Sequence, residues 1–246
     1  MNLVLLEEHD RVDSATFALT DGRAAHIHHV LKARVGQEIR VGMIDGPLGL
    51  GTIESLPPGA VTLRCAFEPE PPPRPRVDLL LALPRPKVMR RLWAQLASLG
   101  VGQIILTNAE RVERPYFDSH VLDEATYRPL LIEGLQQARD TRLPAISIHR
   151  QFKVLVEDHL DRLSPSGSRV VADPSGITPL AAAAGHAAGE RVLLAVGPEG
   201  GWNAFELALL QAHRFQLAGL GPRTLRVDTA CIALLSILHA WMANAD

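Results

Sequence analysis

Two short segments limit what this chain of 246 residues can fold into. They are Val196-Gly197-Pro198-Glu199-Gly200-Gly201-Trp202 and Leu220-Gly221-Pro222-Arg223-Thr224-Leu225-Arg226-Val227-Asp228-Thr229-Ala230. Each follows an apolar run of strand length and leads into an apolar helical pattern. A strand passing through a glycine turn into a helix is the repeating unit of an α/β sheet. Ligands of open α/β sheets bind outside the carboxyl ends of the strands, where such turns lie. Glycine lets a bound group approach the backbone, and a helix N-terminus offers free N–H donors. Together the loops read as two walls of one pocket. Either alone reads equally well as an ordinary turn, because glycine and proline punctuate any α/β protein.

The rest of the chain divides at Glu68-Pro69-Glu70-Pro71-Pro72-Pro73-Arg74-Pro75-Arg76, where five prolines forbid helix and favour extended backbone. Before this stretch the pattern predicts short strands at Ser14–Leu19, Glu38–Ile44, Gly51–Leu56 and Val61–Phe67, with one helix over Ala24–Ala33. Strands at that spacing fit a small barrel or sandwich. After it, strands at Val77–Leu83, Gln103–Thr107, Ala145–His149, Arg169–Ala172, Arg191–Val196 and Phe215–Leu220 alternate with helical segments. Those are Lys87–Leu99, a mainly helical Asp118–Asp140 that Pro129 starts or kinks, and an alanine-rich filler at Ala181–Ala188. That alternation implies a parallel sheet with helices on both faces. The expected organisation is a domain at 1–70, a linker at 71–76 and a second domain at 77–246. The last helix, from Asp228 to about Met242, is apolar on nearly every side. It is therefore either fully buried or paired with another subunit.

Composition narrows the function classes. A formal net charge of −2 excludes a global basic field, so any nucleic-acid contact must come from a local patch. The two cysteines, Cys65 and Cys231, lie in apolar runs and read as buried thiols in a reducing cytoplasm. No apolar run reaches the roughly 18 residues of a membrane span, and the start of the chain, acidic by Glu7, does not resemble a signal peptide. His26, His28 and His29 cluster without an acidic or cysteine partner, so no metal is expected. Gly46, Gly49 and Gly51 match neither the dinucleotide nor the phosphate-loop spacing and read as a hairpin. Serine hydrolase chemistry lacks its Gly-x-Ser-x-Gly elbow. By contrast, Pro84-Arg85-Pro86-Lys87-Val88-Met89-Arg90-Arg91 holds four cations and no anion after the first strand of the second domain. Arg85, Lys87 and Arg90 could grip phosphates there. Cations at a helix N-terminus oppose the macrodipole, which favours a functional reason over a merely solvated turn.

The paired loops, with their GPEGG and LGPRTLRVDTA strings, resemble the signature of the RsmE family. Those enzymes make N3-methyluridine in 16S ribosomal RNA and belong to the SPOUT class. The resemblance covers most of the chain, including a His-His-Val-Leu-Lys helix at His28–Lys32. It implies a PUA-like RNA-binding barrel followed by a trefoil-knotted α/β domain that binds S-adenosylmethionine. It also implies a homodimer in the cytoplasm that acts on 16S rRNA, within the 30S subunit. The implied cofactor residues are Gly197, Pro198, Glu199, Gly200, Gly201, Leu220, Gly221, Thr224, Leu225 and Arg226. The implied RNA contacts are Arg23, His29, Lys32 and Arg34 in the first domain, and Arg85, Lys87, Arg90 and Arg223 in the second.

The chain departs from the family pattern at Gln95 and Ser98, where Lys and Glu are common, and at Gln136–Arg142. At Asp228 an acid is kept but shortened. Uridine N3 becomes nucleophilic only when its imide proton leaves, and Glu199 and Asp228 are the candidate acceptors. Arg226 or Arg223 could stabilise the anion, so Arg226, Glu199 and Asp228 form the expected catalytic set. Either acid could instead cap a helix or hold a loop. The alternative functions are another knotted-class RNA methyltransferase, acting on ribose 2′-O or another base, and a non-enzymatic RNA-binding or ribosome-assembly factor.

Overall fold

The computed structural model describes residues 3–185 and 190–244, so the 186–188 end of the alanine-rich stretch lies outside the described residues. The chain forms two compact units, 1–74 with 132–143 and 75–131 with 144–246.

The first unit is built on a five-stranded sheet in the order β1-β3-β4-β5-β2. Its strands are Val4–Leu6 (β1), Thr16–Leu19 (β2), Glu38–Met43 (β3), Leu48–Ser55 (β4) and Val61–Phe67 (β5). Only β1 and β3 run parallel; the other pairings are antiparallel. In β5, Val61, Leu63 and Cys65 turn inward while Arg64 and Ala66 face solvent. That alternation is the period-2 signal of a sheet with one wet face. The inward set packs on Phe17, Leu19, Val41 and Ile53, with Ala24 and Ile27 of the helix Gly22–His29 (α1). Gly49 and Gly51 sit on β4, which pairs with β3 across a tight turn, as a hairpin reading requires. β1 carries three buried apolar residues without alternation and had no signal of its own.

Residues 132–143 return to this unit, an excursion that the linear pattern does not reveal. Three side-chain contacts explain it. The Thr141 hydroxyl donates to the Gly46 carbonyl at 2.6 Å. Arg142 donates to the carbonyls of Pro72 at 2.5 Å and Asp45 at 2.9 Å.

The second unit is an α/β layer around six parallel strands in the order β11-β9-β10-β6-β7-β8. They are Val77–Ala82 (β6), Val101–Thr107 (β7), Ala145–His149 (β8), Ser168–Ala172 (β9), Val192–Val196 (β10) and Phe215–Ala218 (β11). β6 and β10 are buried along their whole length, as central parallel strands covered on both faces must be. The covering helices include Pro86–Ser98 (α2); Glu124–Ala138 (α3), which runs through Pro129, starts in this unit, and its residues from Ile132 onward belong to the first. After β8 the chain coils through Phe152–Val154 (α4), a π turn at Leu155–His159 and Leu160–Leu163 (α5). Leu180–Ala184 (α6), Ala204–Ala212 (α7) and Val227–Ala243 (α8) complete the set. On α8, Cys231, Leu234, Leu235, Leu238 and Met242 are buried, and Ile237 is exposed. Its inner face explains most of its apolar character; Ile237 is left over.

Buried charge among the described residues of this unit is ion-paired or held by backbone N–H groups. Asp78 is the second residue of β6, where burial pushes its carboxyl up; Arg191 opposes the shift through bonds of 2.5 and 3.0 Å. Burial likewise pushes the Cys231 thiol up to about 12, so it is a packing group and not a nucleophile. No helix among the described residues is long and apolar enough to cross a membrane.

Candidate active site

The sheet order determines where a site can form. β11, β9 and β10 are neighbours, and all three run parallel, so their carboxyl ends open on one edge. A cleft of about 650 Å3, partly open to solvent, lies there. It is walled by Gly197, Pro198, Glu199, Gly201 and Trp202 after β10, and by Leu220, Gly221, Arg223, Thr224 and Leu225 after β11. Val227, Ala230 and Leu234 of α8 form part of its lining.

A third wall was missed. Asp173 and Pro174 follow β9, the strand between the other two, and line the same cleft. Asp173 is held by its own turn: its Oδ1 accepts from the Ser175 backbone N–H at 2.9 Å and hydroxyl at 2.6 Å. The string Asp173-Pro174-Ser175-Gly176 after an apolar strand carried the signal, since it has the layout of the other two loops. This turn meets the β11 loop backbone to backbone. A Cβ on Gly176 would lie 2.7 Å from the Gly219 nitrogen, so both positions need glycine.

The loop after β10 is built from local chemistry. Gly201 takes φ 72°, which closes the turn and favours glycine. Asn203 caps α7 in a reciprocal box with Glu206, each side chain bonding the other's backbone N–H at 2.8 Å. Glu199 therefore does not cap α7. Its carboxylate accepts the Arg85 backbone N–H at 3.1 Å, at the N-terminus of α2. Trp202 is buried against Phe152, ring centroids 5.4 Å apart, and its indole edge faces Gly197.

Four of the expected residues stand elsewhere than expected, Arg226 among them, since it lies outside the cleft lining. Gly200 does not line the cleft: a side chain there would point at the aliphatic stem of Arg111, 2.8 Å from its Cδ. Arg111, absent from the sequence reading, donates to the Gly200 carbonyl and buttresses the loop from behind. Asp228 is the second residue of α8 and lies outside the cleft lining. Arg91 grips it at 2.9 Å, and that bond holds its carboxyl below the usual carboxylate range against the opposing effect of burial. A carboxylate so stabilised is a poor proton acceptor. Arg23 is the fourth: its guanidinium is spent on Asp10, Asp21 and the Leu5 carbonyl, with bonds from 2.6 to 3.0 Å. It braces the first unit and has no donor to spare for RNA.

The remaining cations stand in two places. Arg85, Lys87 and Arg90 are exposed on the first turns of α2, and Arg223 is exposed on the cleft rim. His29, Lys32 and Arg34 are exposed at the end of α1 and just beyond it. Arg226 is the N-cap residue of α8, exposed and outside the cleft lining; Arg91 has taken Asp228, and Arg226 makes no ion pair among the described residues.

Comparison with known proteins adds the lineage. A family model described as an RNA methyltransferase domain matches residues 70–239. A ribosomal RNA small subunit methyltransferase E from Treponema pallidum is 32% identical over 98% of this chain and 93% of its own length. The chain belongs to the RsmE family. Solved structures share the fold of this RsmE-family protein. A probable rRNA-methyltransferase from Porphyromonas gingivalis superposes with a TM-score of 0.80, at 20% identity, over 100% of both chains. A small subunit methyltransferase E from Neisseria gonorrhoeae, solved bound to S-adenosyl methionine, gives 0.77 at 19% identity, covering 98% of this chain and 97% of that one.

Proposed function

We propose that this protein transfers the methyl group of S-adenosylmethionine to N3 of a uridine in 16S rRNA. The observation that carries the reading is the single cleft walled by both glycine loops and the β9 turn at the ends of three adjacent parallel strands.

The residues present fit the cofactor. The cleft lining is mostly apolar with a few polar groups, the make-up of a small-molecule site. Leu220, Leu225, Val227, Leu234 and Trp202 offer a dry surface for a flat base. Asp173, Glu199, Arg223 and Thr224 offer partners for hydroxyl, ammonium and carboxylate groups. Gly197 leaves room for the Trp202 ring behind the cleft wall, and Gly201 closes the turn at φ 72°. When bound, S-adenosylmethionine supplies an electrophilic methyl group that needs no activation.

The protein's task is then to orient and deprotonate. The tied loop after β10 fixes placement, which supplies much of the rate in such transfers. Glu199, exposed on the rim, takes the imide proton. Arg226, whose charge acts on Asp228 but which makes no ion pair among the described residues, steadies the uridine anion through its fork of donors. The target base must be unpaired or flipped out, since N3 lies on its pairing edge. Arg85, Lys87, Arg90 and Arg223 hold the surrounding phosphates.

The remaining family features belong to the same proposal. They are a PUA-like barrel in the first unit, a trefoil knot at the cleft, a 30S substrate in the cytoplasm, and a homodimer that covers Ile237 on α8. Incubating the purified protein with S-adenosylmethionine and either 16S rRNA or 30S particles tests the reading. N3-methyluridine should appear in the digested nucleosides by mass spectrometry. Methylation at a ribose 2′-O, or none on either substrate, would overturn it.

A further inference from the structure

We infer that Asp173 reads the ammonium of the cofactor's amino-acid end, so that this acid selects ligands carrying a free α-amino group. The inference rests on the reading of the cleft as an S-adenosylmethionine site and names the group that one of its walls recognises.

Asp173 follows β9, the middle one of the three parallel strands whose carboxyl ends open on the cleft. Its backbone is pinned on both sides. The N–H donates to the Ala218 carbonyl at 3.0 Å, and the C=O accepts the Gly176 N–H at 3.0 Å. The side chain is set as firmly. Oδ1 accepts two bonds from Ser175, one from the backbone N–H at 2.9 Å and one from the hydroxyl at 2.6 Å. Oδ2 takes no bond from another described residue. Asp173 also makes no ion pair among the described residues. Other acids of the same unit are paired: Asp78 with Arg191, Asp161 with Arg169 and Asp228 with Arg91. Asp173 is thus a carboxylate fixed through one oxygen, with the other left for a ligand.

The cleft around it is chiefly apolar, with Ala172, Val196, Ala218, Val227 and Leu234 in the lining. An acceptor left there without a donor is costly, and a lone charge is more so. The other carboxylate of the lining, Glu199, is exposed on the rim and accepts the Arg85 N–H. Asp173 is half-buried and is the inner acid of the two.

Four groups of S-adenosylmethionine are candidates for Oδ2, and their chemistry separates them. The sulfonium is cationic but has no N–H or O–H to donate. The adenine amino group donates but is neutral. The two ribose hydroxyls are also neutral, and as a pair they suit a carboxylate with both oxygens open, whereas Oδ1 is already filled. The ammonium brings a positive charge and three donors. One of its N–H groups on Oδ2 satisfies the acceptor and the charge together, in a charge-assisted bond.

The test uses the full chain and calorimetry with four ligands. S-adenosylmethionine carries sulfonium, ammonium and carboxylate. S-adenosylhomocysteine lacks the sulfonium, and decarboxylated S-adenosylmethionine lacks the carboxylate. The neutral 5′-methylthioadenosine lacks the whole amino-acid end. Asp173→Asn should weaken the first three about tenfold, the scale of one charge-assisted bond, and leave methylthioadenosine unchanged. Unchanged methylthioadenosine binding doubles as the check that the cleft is intact. Ser175→Ala, which releases Oδ1, should weaken the same three ligands by less. Equal losses for all four ligands would make Asp173 a ribose partner or a loop brace and overturn the inference. A loss confined to the two sulfonium ligands would assign Asp173 to the sulfonium and overturn it too, as would unchanged affinities throughout. Failure of the unaltered protein to bind any of the four would overturn the cofactor site itself, and the inference with it.

Discussion

The loop after β10 is tied from end to end, whereas the loop after β11 makes no hydrogen bond to another described residue between Leu220 and Leu225. In the first, Glu199 takes the Arg85 N–H, Gly200 takes a bond from Arg111, and Gly201 bonds back to Pro198 at 2.8 Å. Glu206 at its far end accepts the Glu110 N–H at 2.7 Å. In the second, Gly221 stands at φ 90° with open space around it, and Pro222 to Arg226 are all exposed. Both loops belong to one cleft, yet one is preorganised and the other adaptable. Backbone with few bonds is where local opening costs least. The contrast points to a fixed wall that orients the ligand and a free wall that orders around it.

The most damaging test of that contrast is Gly197→Val. The Cβ direction of Gly197 points at the Trp202 ring, 3.1 Å away. A branched side chain there should displace the indole, abolish cofactor binding and lower the melting temperature, since overpacking costs about 1–3 kcal/mol. Gly221→Val, in the free loop, should weaken cofactor affinity about tenfold through left-handed strain and leave melting nearly unchanged. Calorimetry and thermal melts on both variants would reverse the comparison if Gly221→Val proved the less stable.

Arg226→Ala should cost about 100-fold in single-turnover methylation, the scale of a lost oxyanion donor, with cofactor affinity kept. Parallel loss of affinity and stability would instead make Arg226 a structural residue of the free loop.

A smaller effect is expected at Arg111, on the fixed side. Arg111→Ala should raise the cofactor Kd about tenfold, the worth of one charge-assisted bond. At saturating cofactor kcat should be unchanged, and Arg111→Lys should recover part of the loss. A wild-type Kd for Arg111→Ala would show that the loop holds itself.

The smallest effect concerns Asp228. Its folded carboxyl lies below the usual range, chiefly through its bond from Arg91. A depressed acid stabilises the fold above its unfolded pKa, near 3.9, and that contribution fades as pH falls through the lower folded value. Asp228 should add no pH dependence to melting from neutrality down to about pH 5. Arg91→Met should lower the melting temperature there and largely remove the acid-side loss that Asp228 contributes, since the folded carboxyl then titrates closer to the unfolded one. An acid limb of activity near neutrality that vanished in Asp228→Asn would contradict this and restore Asp228 as the base.

Local pattern carried most of the elements. Val61–Phe67 and Ala145–His149 fall where alternation and β-branched content placed them, because both signals are local. The sequence readily exposed two cleft walls for the same reason: each is an apolar strand, a glycine turn and a helix. What stayed hidden depends on distant partners. Arg91 and Asp228 are 137 positions apart, so no spacing rule joins them, and the same separation concealed why Asp228 is a weak base. The direction of Gly200 is likewise set by Arg111 from another strand's loop. The coil from Phe152 to Leu163 gave no periodic signal because its π turn breaks the 3.6-residue repeat.

The contact between Gly176 and Gly219 gives the cleft a mechanical linkage. Their backbones lie so close that neither loop can slide inward without pushing the other, and the Asp173 N–H to Ala218 carbonyl bond at 3.0 Å adds a second coupling point. Any closure of the free loop over a ligand would therefore drag the β9 turn with it, Asp173 included. Ile177 rides on that turn, 97% exposed. A fluorophore placed there would act as an indicator needle, reporting occupancy of a cleft that it does not touch.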